Sequence, residues 1–236
     1  VRVEYQFLTG LILIGNIMRI DKERIQEKNQ KDLKPHQEKF DFLSNYLLKD
    51  GHDVVEIINK LSKFQVAIPS WALGAGGTRF GRFSFHGEPS TLEQKIDDVG
   101  ILHALTQTAG AISLHIPWDV PKDYEAIKQL ATSHNIVFDA VNSNTFQDQK
   151  NAKASYRFGS LSNREKAIRE QAVQHNIDVI DIGNKLGSKS LTVWLADGSN
   201  FPGQNNFQNA LQNTQDSLKD IYRALPEDWK LFIEYK

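Results

Sequence analysis

Five short apolar runs, each separated from the next by a helical pattern, fill the chain from residue 66 to residue 236. The runs are residues 66–71, 112–116, 136–141, 190–194 and 231–234. Between them lie amphipathic stretches over residues 91–106, 121–134, 162–176, 178–186 and 206–225. Strand and helix in alternation imply a parallel sheet with helical crossovers. Several runs are continuously apolar, as expected of strands covered on both faces. Five such units fit either an open doubly wound sheet or the larger part of an eight-stranded barrel.

The punctuation agrees with this reading. Ser90 or Thr91 opens a helix, with Glu93 or Gln94 completing a capping box, and Ser162 with Glu165 forms a second box. Upstream, residues 18–62 read as helix with a break at Pro35. Phe40, Leu43, Tyr46 and Leu47 fall at helical spacing and are expected to be buried. Asp50-Gly51 is a stop signal, and Asp53 caps a further helix whose buried side is Val54, Val55, Ile57, Ile58 and Leu61.

The most apolar stretch, residues 7–18, carries Gly10, Gly15 and Asn16 and is too short to span a bilayer. Glu4 and the lack of a small-residue cleavage site count against a signal peptide. Met18 is the only Met and helical pattern begins right after it, so residues 1–17 read as an extension upstream of the natural start or as the trace of an alternative start codon. The expected organisation is a leader over 1–17, a helical segment over 18–65 and a partial (β/α) barrel over 66–236.

Composition narrows the chemistry. With 28 Lys+Arg against 29 Asp+Glu, the net charge of -1 offers no electrostatic footprint for nucleic acid or a membrane surface. The absence of Cys excludes disulfides, thiolate metal sites and thiol nucleophiles, and leaves the cytoplasm as the default location. Gly74-Ala-Gly-Gly has the composition of a dinucleotide-binding turn, but no helix opens after it, which argues against that function.

Every run ends in polar or aromatic residues: Ser70-Trp71, His115 to Asp119, Asp139 and Asn142, Trp194 to Gly198, and Glu234 to Lys236. In a (β/α)8 barrel, functional side chains gather at the carboxyl ends of several strands.

Four of these segments carry a family resemblance. They are Ile68-Pro-Ser-Trp-Ala-Leu-Gly-Ala-Gly-Gly-Thr-Arg-Phe80, Ser113-Leu-His-Ile-Pro-Trp-Asp119, Val193-Trp-Leu-Ala-Asp-Gly-Ser-Asn-Phe-Pro-Gly-Gln204 and Ile233-Glu-Tyr-Lys236. The chain from Arg19 to Lys236 resembles broad-specificity bacterial L-rhamnose isomerases, in the xylose isomerase-like TIM barrel superfamily. The resemblance implies a cytoplasmic homotetramer that interconverts aldoses and ketoses, including L-rhamnose and L-rhamnulose or D-allose and D-psicose. It also implies a divalent metal, Mn2+ or a similar hard cation, two per site.

The resemblance further implies residue roles. Glu234 is a metal ligand, and Lys236 supports the sugar's C1 oxygen. His115 hydrogen-bonds the ring or O5 oxygen and assists ring opening. Trp71 and Trp194 are walls of the sugar pocket. The loop over residues 74–83 covers the site, and its Phe80 reaches a neighbouring subunit's pocket. Such residues suit the chemistry, since carboxylates and imidazole bind hard cations and an ammonium stabilises developing negative charge. From its nearness in sequence, Asp119 is expected in the substrate site, orienting His115 through its second ring nitrogen.

The other residues read more plainly. Trp118 and Trp229 read as packing, and Asp139 and Asn142 as pocket residues without a role. His36, His52, His86, His103, His134 and His175 read as surface or helix residues, and residues 22–31 as a solvated helix face.

In the family, strands six to eight bring the other metal ligands. Their absence from this sequence leaves a second expectation: a non-catalytic fragment, or an interaction protein on a broken barrel. A metal-dependent endonuclease on the same fold is disfavoured, because no basic, aromatic-interleaved stretch is present.

Overall fold

A computed structural model describes residues 22–74, 87–195, 197, 203 and 205–235. The chain separates into two compact units, the first holding residues up to Phe64 with Ile101–Thr108, the second Gln65–Gly100 with Ala109 onward. The expected leader lies outside the described residues.

In the first unit, α1 (Lys22–Lys49) runs through Pro35 without the expected break, and α2 (Val54–Ser62) starts at Asp53, whose side chain accepts from the Glu56 N–H. Proline removes one helical hydrogen bond, and the strong helix formers on both sides of Pro35 carry the helix across it. The buried faces expected of these helices are largely exposed: Leu43, Tyr46, Val55 and Leu61 all lie open. Periodicity reports which face a helix offers, not whether something covers it.

The second unit is a five-stranded sheet of order β1-β2-β3-β4-β5, parallel throughout. Its strands are β1 (Ala67–Pro69), β2 (Ala111–His115), β3 (Val137–Ser143), β4 (Ser190–Leu195) and β5 (Lys230–Tyr235). The crossover helices are α3 (Leu92–Thr106), α4 (Tyr124–Ser133), α5 (Lys166–Leu186) and α6 (Phe207–Ala224), and a 3-10 turn, Ser70–Ala72, follows β1. A doubly wound sheet needs a point at which strand order reverses. Here each strand joins its predecessor, and right-handed crossovers then put all the helices on one side. The sheet is an arc of a (β/α) barrel, which resolves the alternative left open by the sequence.

Local chemistry sets the element ends. Thr91 Oγ1 accepts from the Gln94 N–H at 3.3 Å while Gln94 Oε1 accepts from the Ser90 N–H at 2.7 Å, so both candidate caps of α3 share one box. Asp123 and Asn206 cap α4 and α6 with their side chains. The box expected at Ser162 does not form: α5 begins at Lys166 and is one helix where two were expected. Gly187, with φ +88°, ends it in the left-handed conformation.

Register sorts the side chains. Ile112, Leu114, Val141, Leu191 and Val193 are fully buried and join Ile96, Val99, Ile127, Val179 and Ile221 of the helices in one core. On this side α5 lies close to β3, since a Cβ on Gly183 would come within 2.8 Å of Val141 and of the buried Trp229. The partners His115↔Asn142, Asn142↔Thr192, Thr192↔Phe232 and Trp194↔Glu234 share the opposite face.

Candidate active site

The site is built where β1 to β4 reach their carboxyl ends. His115 is the last residue of β2. Trp71, in the turn after β1, meets its ring edge-on with centroids 5.2 Å apart, and Trp118, three residues beyond His115, does so at 4.5 Å. Phe146, just after β3, lies 5.7 Å from the imidazole and 4.4 Å from Trp194 of β4. Four successive strand ends thus contribute to one aromatic cluster around a histidine.

Inside the cluster, Nε2 of His115 is buried without a hydrogen-bond partner among the described residues. The Ser143 carbonyl accepts from the ring, so by elimination the donor is Nδ1. Burial lowers the His115 pKa to about 4, with His175 and Lys95 pushing the same way and Asp119 and the Ser143 carbonyl opposing. At neutral pH the imidazole is uncharged, its Nε2 a bare acceptor in a ring surrounded by aromatic side chains.

Asp119 does not touch the ring, which corrects the expectation from sequence. Its Oδ2 accepts from the His115 backbone N–H at 2.8 Å and from the Ser70 hydroxyl. Its Oδ1 pairs with Lys95 of α3 at 2.7 Å, and the two side chains are 2% and 13% exposed. The carboxylate is a bolt between elements rather than a group open to a ligand.

The other expected residues fall variously. Glu234 stands on the site face of β5, in register with Trp194, and is exposed. Phe80, Lys236 and the loop beyond Gly74 lie outside the described residues. Trp118, read as packing, packs directly on His115. Asn142 donates to the Leu114 and Ala140 carbonyls, at 3.1 and 3.3 Å, and Asp139 accepts from the Ser113 hydroxyl at 3.4 Å. His175, read as a surface or helix residue, sits on α5 with Nε2 accepting from the Asn144 N–H at 3.0 Å, and burial lowers its pKa.

Sequence reasoning passed over Phe146 and Lys95. The position at or just past a strand's carboxyl end, shared by Trp71, Trp118 and Trp194, was the signal available for Phe146. A cavity of about 900 Å3 is lined by Trp118 together with Gln147, Lys153, Gln171 and His175. Gln171 is already spent on the Lys153 and Ala154 backbone.

Fold and site together define a (β/α)-barrel sheet carrying an aromatic-walled histidine at its functional end. No family model matches the chain. A protein of Mesorhizobium japonicum described as a probable sugar isomerase is 49% identical over 213 residues, which is 90% of this chain and 49% of that protein. A second probable sugar isomerase, from Rhizobium meliloti, is 46% identical over 197 residues, 84% of this chain and 46% of its own length. The chain is thus a homologue of these proteins, and spans about half the length of each.

Among solved structures, a 3-keto-D-glucoside 4-epimerase of E. coli overlaps 72% of this chain and 56% of its own, at 9% identity and a TM-score of 0.48. A D-allulose 3-epimerase of Methylomonas sp. overlaps 72% and 50%, at 12% identity and the same score. At that score neither overlap carries an argument, and the barrel assignment rests on strand order. Among the described residues, no helix is long and apolar enough to cross a membrane.

Proposed function

We propose that this chain is the first five β/α units of an aldose–ketose sugar isomerase acting on L-rhamnose and related sugars. The observation that carries the reading is the neutral His115 with an unpartnered Nε2 inside a cage of Trp71, Trp118 and Phe146. The descriptions of the homologues as probable sugar isomerases support it.

Aromatic faces suit the C–H faces of a sugar and exclude water around it. An imidazole held neutral accepts a hydrogen bond from the anomeric hydroxyl at Nε2, takes that proton as the bond from C1 to the ring oxygen breaks, and returns it to the released ring oxygen. Trp71 and Trp194 are walls of the pocket in this reading, and Glu234 enters it from β5. Lys236 and Phe80 belong to the same reading as C1-oxygen support and as a loop contact to a neighbouring subunit of a cytoplasmic homotetramer.

Metal dependence is part of the proposal, but the described residues do not by themselves fit a cation. No three of their His, Asp or Glu side chains converge. A hard divalent ion takes about six ligands. Mn2+ therefore requires ligands from beyond the described residues, with Glu234 as one contributor. The same observation favours a second reading, in which this chain alone is non-catalytic.

The test is formation of L-rhamnulose from L-rhamnose by the full-length natural protein. Turnover is expected to stop with a chelator and to fall by about 10² to 10⁴-fold in His115→Gln. Full activity in excess EDTA, with no metal bound, overturns the metal-dependent reading. Turnover by residues 1–236 alone overturns the second reading.

A further inference from the structure

We infer that the buried Lys95–Asp119 pair is a positioning device that bolts the ends of β1 and β2 together and thereby fixes His115 against Trp71. The need for it follows from the register. The β1–β2 ladder ends at Pro69↔Ser113, after which the chain turns into the Ser70–Ala72 3-10 helix. On the other side, the Ile116 N–H donates to the Asn142 carbonyl of β3. The His115 N–H, directed away from β3 by the alternation of a strand, has no further β1 carbonyl to meet.

Asp119 replaces that missing partner. One oxygen takes the His115 N–H together with the hydroxyl of Ser70, the residue just past β1. The other takes the Lys95 ammonium, which spans from α3 to close the charge. The stem of Lys95 runs beneath Gly74, where an added Cβ would sit 3.5 Å from Lys95 Cε and 3.0 Å from the Pro89 carbonyl. Three elements are thereby tied to one carboxylate, and none of its bonds goes to a ring atom of His115.

The pair also sets the field at the imidazole. The charged or titratable groups acting on His115 are Asp119, Lys95 and His175, and its ring neighbours are Trp71, Trp118 and Phe146. Asp119 raises the affinity of the ring for a proton, and Lys95 lowers it by a smaller amount. Removing one partner releases the pull of the other.

The probe is the proton itself, followed by NMR titration of the histidine rings in the chain as it stands. Lys95→Gln keeps a donor for Asp119 but loses the charge, and its His115 midpoint moves up. Asp119→Asn moves the midpoint down. The double variant moves it down by less, because the larger Asp119 contribution and the smaller Lys95 one are both gone. The expected order is Lys95→Gln, wild type, double variant, Asp119→Asn, and three of the four suffice if one does not fold.

Lys95→Arg restores the wild-type midpoint. A His115 midpoint that ignores all these changes overturns the inference. The bearing of the pair on turnover rests on the isomerase reading. The titration does not, so failure of either is recognisable without the other.

Discussion

Two carboxylates stand at the carboxyl ends of the same sheet and have opposite surroundings. Asp119, after β2, is 2% exposed and engaged by a lysine, a hydroxyl and a backbone N–H. Glu234, on β5, is exposed in a strand where only Leu231 is even half-buried. Both positions follow from the same strand-end logic, and β5 pairs with β4 at six successive residues. Backbone pairing therefore decides which face a side chain takes. What covers that face decides whether the side chain acts as a structural bolt or lies exposed.

The contrast is testable where it is largest. Asp119→Ala strands the Lys95 ammonium and leaves the His115 N–H and Ser70 hydroxyl without their acceptor. Breaking a buried ion pair from one side costs about 3 to 5 kcal/mol. Glu234→Ala, at an exposed strand position, is expected to change stability by no more than about 0.5 kcal/mol. Urea denaturation of both variants checks the comparison. Equal losses would mean that Asp119 is not the bolt its contacts describe.

The intermediate effect is a pH dependence. In the folded chain the His115 pKa is lowered from 6.5 to about 4. The unfolded state thus binds more protons between those values, so stability rises with pH there. The contribution is fully present above about pH 6.5 and is lost as pH falls through about 4. A shift of this size corresponds to roughly 3 kcal/mol. His175 acts in the same direction. Denaturation midpoints measured from pH 7 down to pH 4 are expected to fall, and less steeply in His115→Asn than in the wild type. An unchanged slope in that variant would show that the aromatic cage does not hold His115 neutral.

The sequence made the sheet legible because apolar runs and helical spacing are local signals, and its five strands fall close to the runs read from it. His115, Trp71 and Trp194 were legible for a related reason, since strand-end residues in this architecture share one rim. Lys95 was not, because a lysine in an amphipathic helix reads as a solvent-facing residue and nothing local announces a buried acid beside it. The partner of Asp119 was misread for the same cause: it follows His115 by four positions, but the turn brings the carboxylate to the backbone N–H and not to the ring. Pro35 and the junction within α5 show the converse error, in which a local break signal is overridden by the helix on either side. Glu234 was placed on the correct face by pattern alone, while its exposure depends on neighbours that pattern does not reveal.

The smallest effect isolates burial from geometry. Lys189 and Asp228 form a pair at 2.5 Å, shorter than the 2.7 Å of Lys95 and Asp119. If distance governed, the first would matter more. Its side chains, however, are 69% and 58% exposed. Water solvates both ions whether or not they meet, and salt screens what attraction is left. The Lys189 hydrogen bond lowers the Asp228 pKa, yet that shift belongs to a fully solvated group and does not translate into stability. Lys189→Ala is therefore expected to leave the urea midpoint unchanged within error, with any residual difference vanishing in added salt. A loss comparable to that of Asp119→Ala would place the strength of these pairs in their contact distance, and the distinction drawn between the two carboxylates would fall with it.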